Sequence, residues 1–179
     1  MTVFISGGCK NGKSTLAETV SRSLAGDGKL YYIATMIPHD AEDEERIRRH
    51  VQQRAGLGFE TLEQGRELLT VLDRAEEEAT FLLDSVTALL ANELFRPDGS
   101  VDREAGARTA SELRELAGRV KNAVFVSDYI YSDAMQYDEY TELYRASLAL
   151  CDRTLAECCD TAAEVAATGY YLYKGGLPL

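Results

Sequence analysis

Short apolar runs alternate with amphipathic stretches along this chain, and the alternation predicts its elements. Thr2 to Ser6 is a β-rich apolar run of the kind that forms a buried parallel strand. Ser14 to Ala25 carries Leu16, Val20 and Leu24 at helical spacing, with Ala17 alongside. Gly26-Asp27-Gly28 breaks that helix, and Leu30 to Ala34 reads as a second strand ending at Thr35. Ala41 to Arg54 is a charged helix, acidic first and basic later, which suits the helix macrodipole. Gly56 and Gly58 end it; Phe59 to Leu62 then reads as a short strand and Gln64 to Glu78 as a polar helix. Thr80 to Asp84 is an apolar strand ending in a carboxylate. The helix after it runs from Val86 to Phe95, with Leu89, Leu90 and Leu94 on or near one face. Beyond the turn Arg96-Pro97-Asp98-Gly99, Ala105 to Val120 reads as a helix and Val124 to Val126 as a strand. The second half of the tyrosine-rich segment Tyr129 to Tyr144 continues as a long helix toward Cys159 or Ala167, and Tyr170 to Tyr173 is a last strand.

Strands alternating with helices, with no repeat or linker, predict one α/β domain over residues 1–179, with a mostly parallel sheet covered by helices on both faces. In such a sheet ligands bind outside the carboxyl ends of the strands, where Gly7 to Ser14, Thr35, Asp84 and Asp128 all fall.

The first of these stretches carries the clearest chemistry. Gly7 to Ser14 satisfies the phosphate-binding pattern G-x-x-x-x-G-K-[ST], placed between a strand and a helix as the chemistry needs. Gly7, Gly8 and Gly12 free the backbone so that successive N–H groups across Ser6, Cys9, Lys10 and Asn11 can point at phosphate oxygens. The helix start at Lys13, Ser14 and Thr15 adds unpaired N–H groups and a positive dipole end. Lys13 would reach the β- and γ-phosphates, and the Ser14 hydroxyl would sit on Mg²⁺. A chance glycine turn before an amphipathic helix is the plain alternative.

Charge narrows the partners. With 19 basic and 30 acidic residues, the net charge of -11 argues against nucleic-acid binding through a general basic surface. Phosphates must therefore be held by local loops against a repulsive field. No apolar run approaches the roughly 20 residues needed to cross a bilayer, and the first strand begins without the regions of a signal peptide. Cys9, Cys151, Cys158 and Cys159 show no zinc-like spacing. These features give a cytoplasmic, reduced setting as the expectation.

Two further groups belong with the phosphate loop. Asp84, ending its apolar run, is placed to hold Mg²⁺ opposite Ser14; capping the next helix is its other reading. Arg46, His50 and Arg54 stand four apart, one basic stripe on a helix of an acidic protein. The arginines could hold phosphates while neutral His50 attacks a nucleotide α-phosphorus; an exposed histidine on a solvated helix is the alternative.

Taken together, these residues resemble the bifunctional adenosylcobinamide kinase / adenosylcobinamide-phosphate guanylyltransferase family of cobalamin assembly. The matching pieces are Ser6-Gly7-Gly8-x-x-x-Gly12-Lys13-Ser14, Tyr32-Ile33-Ala34-Thr35, Asp40-x-Glu42 and Arg46-Ile47-x-x-His50-x-x-x-Arg54. Thr61-x-Glu63, Leu82-Leu83-Asp84-x-x-Thr87, Asn92-x-Leu94-Phe95 and Gly176-Leu177-Pro178-Leu179 complete the set. The resemblance implies a RecA-like P-loop fold and homo-oligomers, trimers among them. It implies GTP, or ATP for the kinase step, with Mg²⁺, acting on a corrinoid. His50 would carry a GMP intermediate. Nucleotide contacts would map to the phosphate loop, Ile33, Ala34, Thr35, Arg46, Val51, Gln52, Gln53, Arg54, Glu63 and Asp84.

The chain departs from that family's pattern in its second half. Ser127-Asp128-Tyr129-Ile130 stands where the family has Asn-Glu-Val-Gly, and Tyr137-Asp138-Glu139 replaces a later Val-Pro-Glu turn. Phe59 replaces a tryptophan before Thr61. Two readings besides the bifunctional enzyme therefore stand: a P-loop kinase or nucleotidyltransferase with another small-molecule acceptor, and a nucleotide-binding protein without turnover.

Overall fold

The strands follow from side-chain alternation. Phe4, Tyr31, Ile33, Phe81, Leu83, Ala123 and Phe125 point to one face of the sheet and join one core. Their neighbours Val3, Ile5, Tyr32, Leu82, Val124 and Val126 point to the other face and join a second. This is the period of two that a strand buried on both sides requires. The computed structural model describes residues 1–38, 40–167 and 169–179. His39 and Thr168, with the side chains of Arg46 and Gln53, lie outside the described residues.

The order is β1 (Thr2–Gly7), α1 (Lys13–Ala25), β2 (Leu30–Ala34), α2 (Ala41–Arg54), β3 (Glu60–Glu63), β4 (Thr80–Asp84), α3 (Val86–Leu94), α4 (Ala105–Arg119), β5 (Asn122–Asp128), α5 (Glu139–Cys158), β6 (Thr161–Ala166) and β7 (Gly169–Lys174). The strands form one sheet in the order β3-β2-β4-β5-β1-β6-β7. All neighbours are parallel except the terminal pair β6–β7. Helix α1 covers one face through Ala17 and Val20, with Leu16 and Leu24 beside them. Helices α3, α4 and α5 cover the other, burying Leu89, Leu90, Leu113, Leu116, Leu148 and Leu155. This is the expected α/β architecture: a RecA-like P-loop fold with helices on both faces.

Two stretches differ from the sequence expectation. Gln64 to Glu78 is not a regular helix; it holds only the 3₁₀ segment Leu68–Asp73. Glu67 takes a left-handed conformation with φ 50°, which ends any regular helix there. Leu68 and Val71 are fully buried, and their spacing of three fits the 3₁₀ period. The N–H groups of Glu67 and Leu68 donate to the carboxylates of Glu93 (2.6 Å) and Glu112 (3.2 Å) rather than entering a helix.

The second difference is β6. Helix α5 stops at Cys158, and Thr161–Ala166 adds to the sheet beside β1, pairing Ser6 with Glu164 and Gly7 with Val165. Its Thr-Ala-Ala-Glu-Val-Ala sequence has little β-branched content, so local preference reads as helix. Tertiary pairing decides otherwise. Asp160 caps the junction: it accepts from the Thr2 N–H at 2.7 Å, and its own N–H donates to the Thr2 hydroxyl at 3.0 Å.

The carboxyl edge beside β2 is braced by one buried amide. Asn92, on α3, donates to the carbonyl of Thr35 at 2.7 Å and that of Gly65 at 2.9 Å. Removing it leaves two carbonyls without a donor in a buried place. Asn92→Ala is expected to cost about 2–3 kcal/mol of unfolding free energy, read by urea denaturation; a loss under about 0.5 kcal/mol would show that water replaces the amide.

Candidate active site

At the end of β1 the chain turns without side chains in the way. Gly7 has φ 154°, and a Cβ there would collide with the Asn11 amide and the Val165 carbonyl. The Asn11 side chain donates to that same carbonyl, tying the loop to β6. Gly12, with φ 92°, precedes the first residue of α1, and Lys10 also takes a left-handed conformation. Cys9 and Lys10 are exposed on the outside of the turn.

Lys13 opens α1, yet only 5 % of it is exposed. A buried ammonium needs partners on every side. Its Nζ donates to the Gly8 carbonyl at 2.6 Å and the Asn11 Oδ1 at 3.2 Å, and pairs with Asp128 Oδ1 at 2.7 Å. Asp128 ends β5, directly beside Gly7 in the sheet register. Its N–H donates to the Thr87 hydroxyl at 2.9 Å, and the Tyr129 N–H donates to the Gly7 carbonyl at 3.3 Å. Sequence reading placed Asp128 at the strand ends but did not assign it to the site.

A second cluster forms on the α1 face of the sheet. Asp84, ending β4, accepts from the Tyr32 hydroxyl at 3.0 Å. Burial is the main reason the Tyr32 phenol is raised well above its usual range, so it stays a donor. The guanidinium of Arg54, in the last turn of α2, lies 3.4 Å from the Tyr32 ring centroid. Phe59 meets that ring edge-on at 5.8 Å. Glu18, on α1, lies close enough to feel both Arg54 and Asp84. Its carboxyl is raised chiefly by burial, opposed by Arg54 and reinforced by Asp84. Helix α3 is capped by Ser85, which accepts from the Ala88 N–H, so the capping alternative for Asp84 does not hold. The Thr35 hydroxyl donates to the Ser85 carbonyl and accepts from its N–H, both at 2.8 Å.

The sheet thus brings together Ser6, Gly7, Gly8, Asn11, Gly12, Lys13, Ser14, Thr15, Ala34, Thr35 and Asp84 at one edge, with Arg54 docked beside them. Ile33 is wholly buried in the core, so its side chain takes no part at that edge. Glu63 ends β3 beside Ala34 and is exposed. Val51 and Gln52 are exposed on α2, and His50, partly exposed, makes no hydrogen bond or ion pair among the described residues. The proposed partners Arg46 and Gln53 lie outside the described side chains. The contributions of Tyr32 and Glu18 went unread in the sequence. Only the four-residue match Tyr32-Ile33-Ala34-Thr35 hinted at the first.

Strand order, glycine turn, buried lysine and strand-end carboxylate define a RecA-like P-loop α/β protein. The family model for cobinamide kinase / cobinamide phosphate guanyltransferase matches residues 3–172. The chain belongs to that family, and it is accordingly a kinase and nucleotidyltransferase of cobalamin biosynthesis. No curated protein matches it. Among solved structures it is similar to the flagellar accessory protein FlaH of Methanocaldococcus jannaschii, with 13% identity, covering 98% of this chain and 78% of that one at a TM-score of 0.47. It is also similar to a Pyrococcus horikoshii OT3 protein, with 8% identity, covering 97% and 86% at a TM-score of 0.49. Among the described residues no helix is long and apolar enough to cross a membrane.

Behind Asp128 lies a second carboxylate of different character. Asp152, on α5, is 4 % exposed and accepts from the Tyr131 hydroxyl at 2.7 Å. Burial, reinforced by the nearby Asp128 charge, pushes its carboxyl up to about 6 despite the opposing influence of the Tyr131 and Ser127 hydroxyls. The folded chain therefore holds this proton more tightly than the unfolded one. The stability it contributes is complete below about pH 4 and lost as pH rises through about 6. Asp152→Asn keeps an acceptor for Tyr131 and removes the charge. It should stabilise the fold by up to about 3 kcal/mol at pH 7.5 and by almost nothing at pH 4. Denaturant titrations at both pH values check this; an equal effect at the two would contradict the burial argument.

Proposed function

We propose that this enzyme runs its guanylyl transfer through a covalent GMP–His50 intermediate, and that its acceptor is adenosylcobinamide. In the kinase step a nucleoside triphosphate, GTP or ATP, phosphorylates the aminopropanol hydroxyl of the corrinoid. In the second reaction an imidazole nitrogen of His50 attacks the α-phosphorus of GTP. The bond to the β-phosphate oxygen breaks and pyrophosphate leaves. The cobinamide phosphate oxygen then attacks the same phosphorus, displacing His50 and giving the GDP-linked cobinamide.

One observation carries the His50 assignment: the docking of Arg54 on Tyr32, whose hydroxyl is bonded to Asp84. His50 stands one helical turn before Arg54, about 6 Å along the axis at 1.5 Å per residue. The last turn of α2 thereby fixes which end of that helix lies toward the phosphate loop. His50 itself is partly exposed and without a hydrogen-bond partner among the described residues, which leaves a ring nitrogen available for attack.

Lys13 and the loop N–H groups are assigned to the phosphates. Ser14 and Asp84 would hold Mg²⁺: both offer oxygen, the donor a hard cation prefers. Asp84 spends one carboxylate oxygen on the Tyr32 hydroxyl and keeps the other for a cation. When bound, the ion would neutralise phosphate charge. Thr35, Ala34, Glu63, Gln52 and Val51 would border the nucleotide.

A different small-molecule acceptor is the second reading, favoured by the tyrosines of 129–144. Tyr129 and Tyr131 pack with ring centroids 6.4 Å apart, and Tyr137 lies under Arg145 at 4.7 Å. A titration with adenosylcobinamide that shows no binding, with guanylylation intact, would favour it over the corrinoid.

Intact-protein mass spectrometry after incubation with GTP and Mg²⁺ tests the intermediate. Wild type is expected to gain an acid-labile GMP adduct that His50→Ala lacks. The same adduct on the variant would move the nucleophile elsewhere, and none on either would return His50 to a helix-surface residue.

A further inference from the structure

Asp128 touches the one side chain of the phosphate loop that reaches toward the β- and γ-phosphates. Its Oδ1 is 2.7 Å from Lys13 Nζ, and about a third of its side chain is exposed. Among the described residues no other carboxylate pairs with Lys13. Of its neighbours, Asp84 is bonded to Tyr32, and Asp152 is sealed beneath the surface on Tyr131. Asp128 is thus the carboxylate that is both next to the γ-phosphate end of the site and open to an incoming acceptor.

Its backbone is not free to drift. Asp128 closes β5 between β1 and β4, its N–H is held by the Thr87 hydroxyl, and the Thr87 carbonyl accepts from the Tyr144 hydroxyl at 3.0 Å. A group fixed on a strand end can meet a substrate with the precision that proton transfer needs.

We propose that Asp128 is the general base of the kinase step, which rests on the kinase activity of the family and on a hydroxyl-bearing acceptor. Lys13 is its ion-pair partner. Phosphates that draw Lys13 Nζ to themselves leave the Asp128 carboxylate without its ion-pair partner beside a polyanion, and the like charges repel. An acceptor hydroxyl placed between the two relieves that repulsion by donating to Asp128. The hydroxyl oxygen then bonds to the γ-phosphorus, and its proton passes to the Asp128 carboxylate. The bond from that phosphorus to the β,γ-bridging oxygen breaks, and its electron pair leaves with the nucleoside diphosphate.

The same contact predicts an asymmetry between binding and turnover. The carboxylate competes with phosphates for Lys13, so removing its charge cannot weaken nucleotide binding by the electrostatic route. Removing a general base slows the chemical step by about 10²–10⁴-fold. A residue that merely shaped the loop would affect binding at least as much as rate.

The experiment compares wild type, Asp128→Asn and Asp128→Glu in nucleotide affinity and in the rate of phosphate transfer to adenosylcobinamide, measured at saturating substrates. Asp128→Asn should lose at least 100-fold in kcat with a nucleotide Kd equal to or tighter than wild type, and Asp128→Glu should recover part of the rate. A kcat within a few-fold of wild type would remove the base while leaving the acceptor reading intact. So would a Kd weakened as much as the rate falls. A wild type that phosphorylates no cobinamide removes the acceptor reading, and the base with it.

Discussion

A buried ammonium in an acidic protein constrains everything around it. Lys13 is placed at the first turn of α1 and almost wholly removed from water, so its charge must be met by protein groups in fixed positions. The Gly8 carbonyl, the Asn11 side chain and Asp128 supply them. Each demand propagates. The loop can fold back over Lys13 only because Gly7 has no Cβ; Asn11 is oriented by β6; and Asp128 is in reach only because β5 lies beside β1. Leaving one such buried charge unpaired typically costs about 3–5 kcal/mol. The pairing therefore specifies the strand order around the loop as firmly as the hydrophobic core does.

The other half of the site is attached quite differently. Helix α2 has a well-formed start, with Asp40 accepting from the Asp43 N–H and acidic residues in its first turn, and Arg54 in its last. Those features stabilise the helix without fixing it to the sheet. Its described side chains are buried at one point, Arg54, which uses a planar guanidinium against the Tyr32 ring. Such a contact is worth about 0.5–2 kcal/mol, far less than the burial that anchors α1 or α4. Among the described residues the buried Arg54 Nε has no hydrogen-bond partner, and the Arg54 charge acts on the Glu18 carboxyl. The joint between α2 and the sheet is therefore mostly electrostatic, and it depends on groups that also border the phosphate site.

Much of this was legible in the chain, for physical reasons that also explain what was not. Thr80–Asp84 and Leu30–Ala34 are uninterrupted apolar runs bounded by polar punctuation, so their ends coincide with the strands observed. The phosphate loop is local: its glycines, lysine and serine are contiguous and carry their own geometry. Strand β6 was hidden because only Thr161 and Val165 in Thr-Ala-Ala-Glu-Val-Ala favour extended backbone. It is held in the sheet by β1, more than 150 residues away, on one side and by β7 on the other. The Lys13–Asp128 pair was hidden for the same reason: each residue is ordinary in its own neighbourhood, and only the strand order makes them neighbours. The segment 64–78 failed in the opposite way. Its composition favours helix, but two glutamates from α3 and α4 take the N–H groups that a helix would have used.

The strand order also separates the two chemistries in space. Inward from the edge strand β3 it runs β2, β4, β5, β1, so Asp84 stands between the Tyr32–Arg54 joint on one side and Asp128 with the loop on the other. A group carried by α2 must approach bound phosphates from the β2 side. A group supplied by β5 meets them from beside β1. With His50 and Asp128 in their proposed roles, one phosphate site would serve attack at the α-phosphorus and transfer of the γ-phosphoryl group without the two attacking groups crossing paths. The rigid elements that a kinase step needs are all strand ends and the first turn of α1. A step run through the proposed His50 would add only the requirement that Arg54 stay docked on Tyr32, so the sheet would support the two reactions with unequal rigidity.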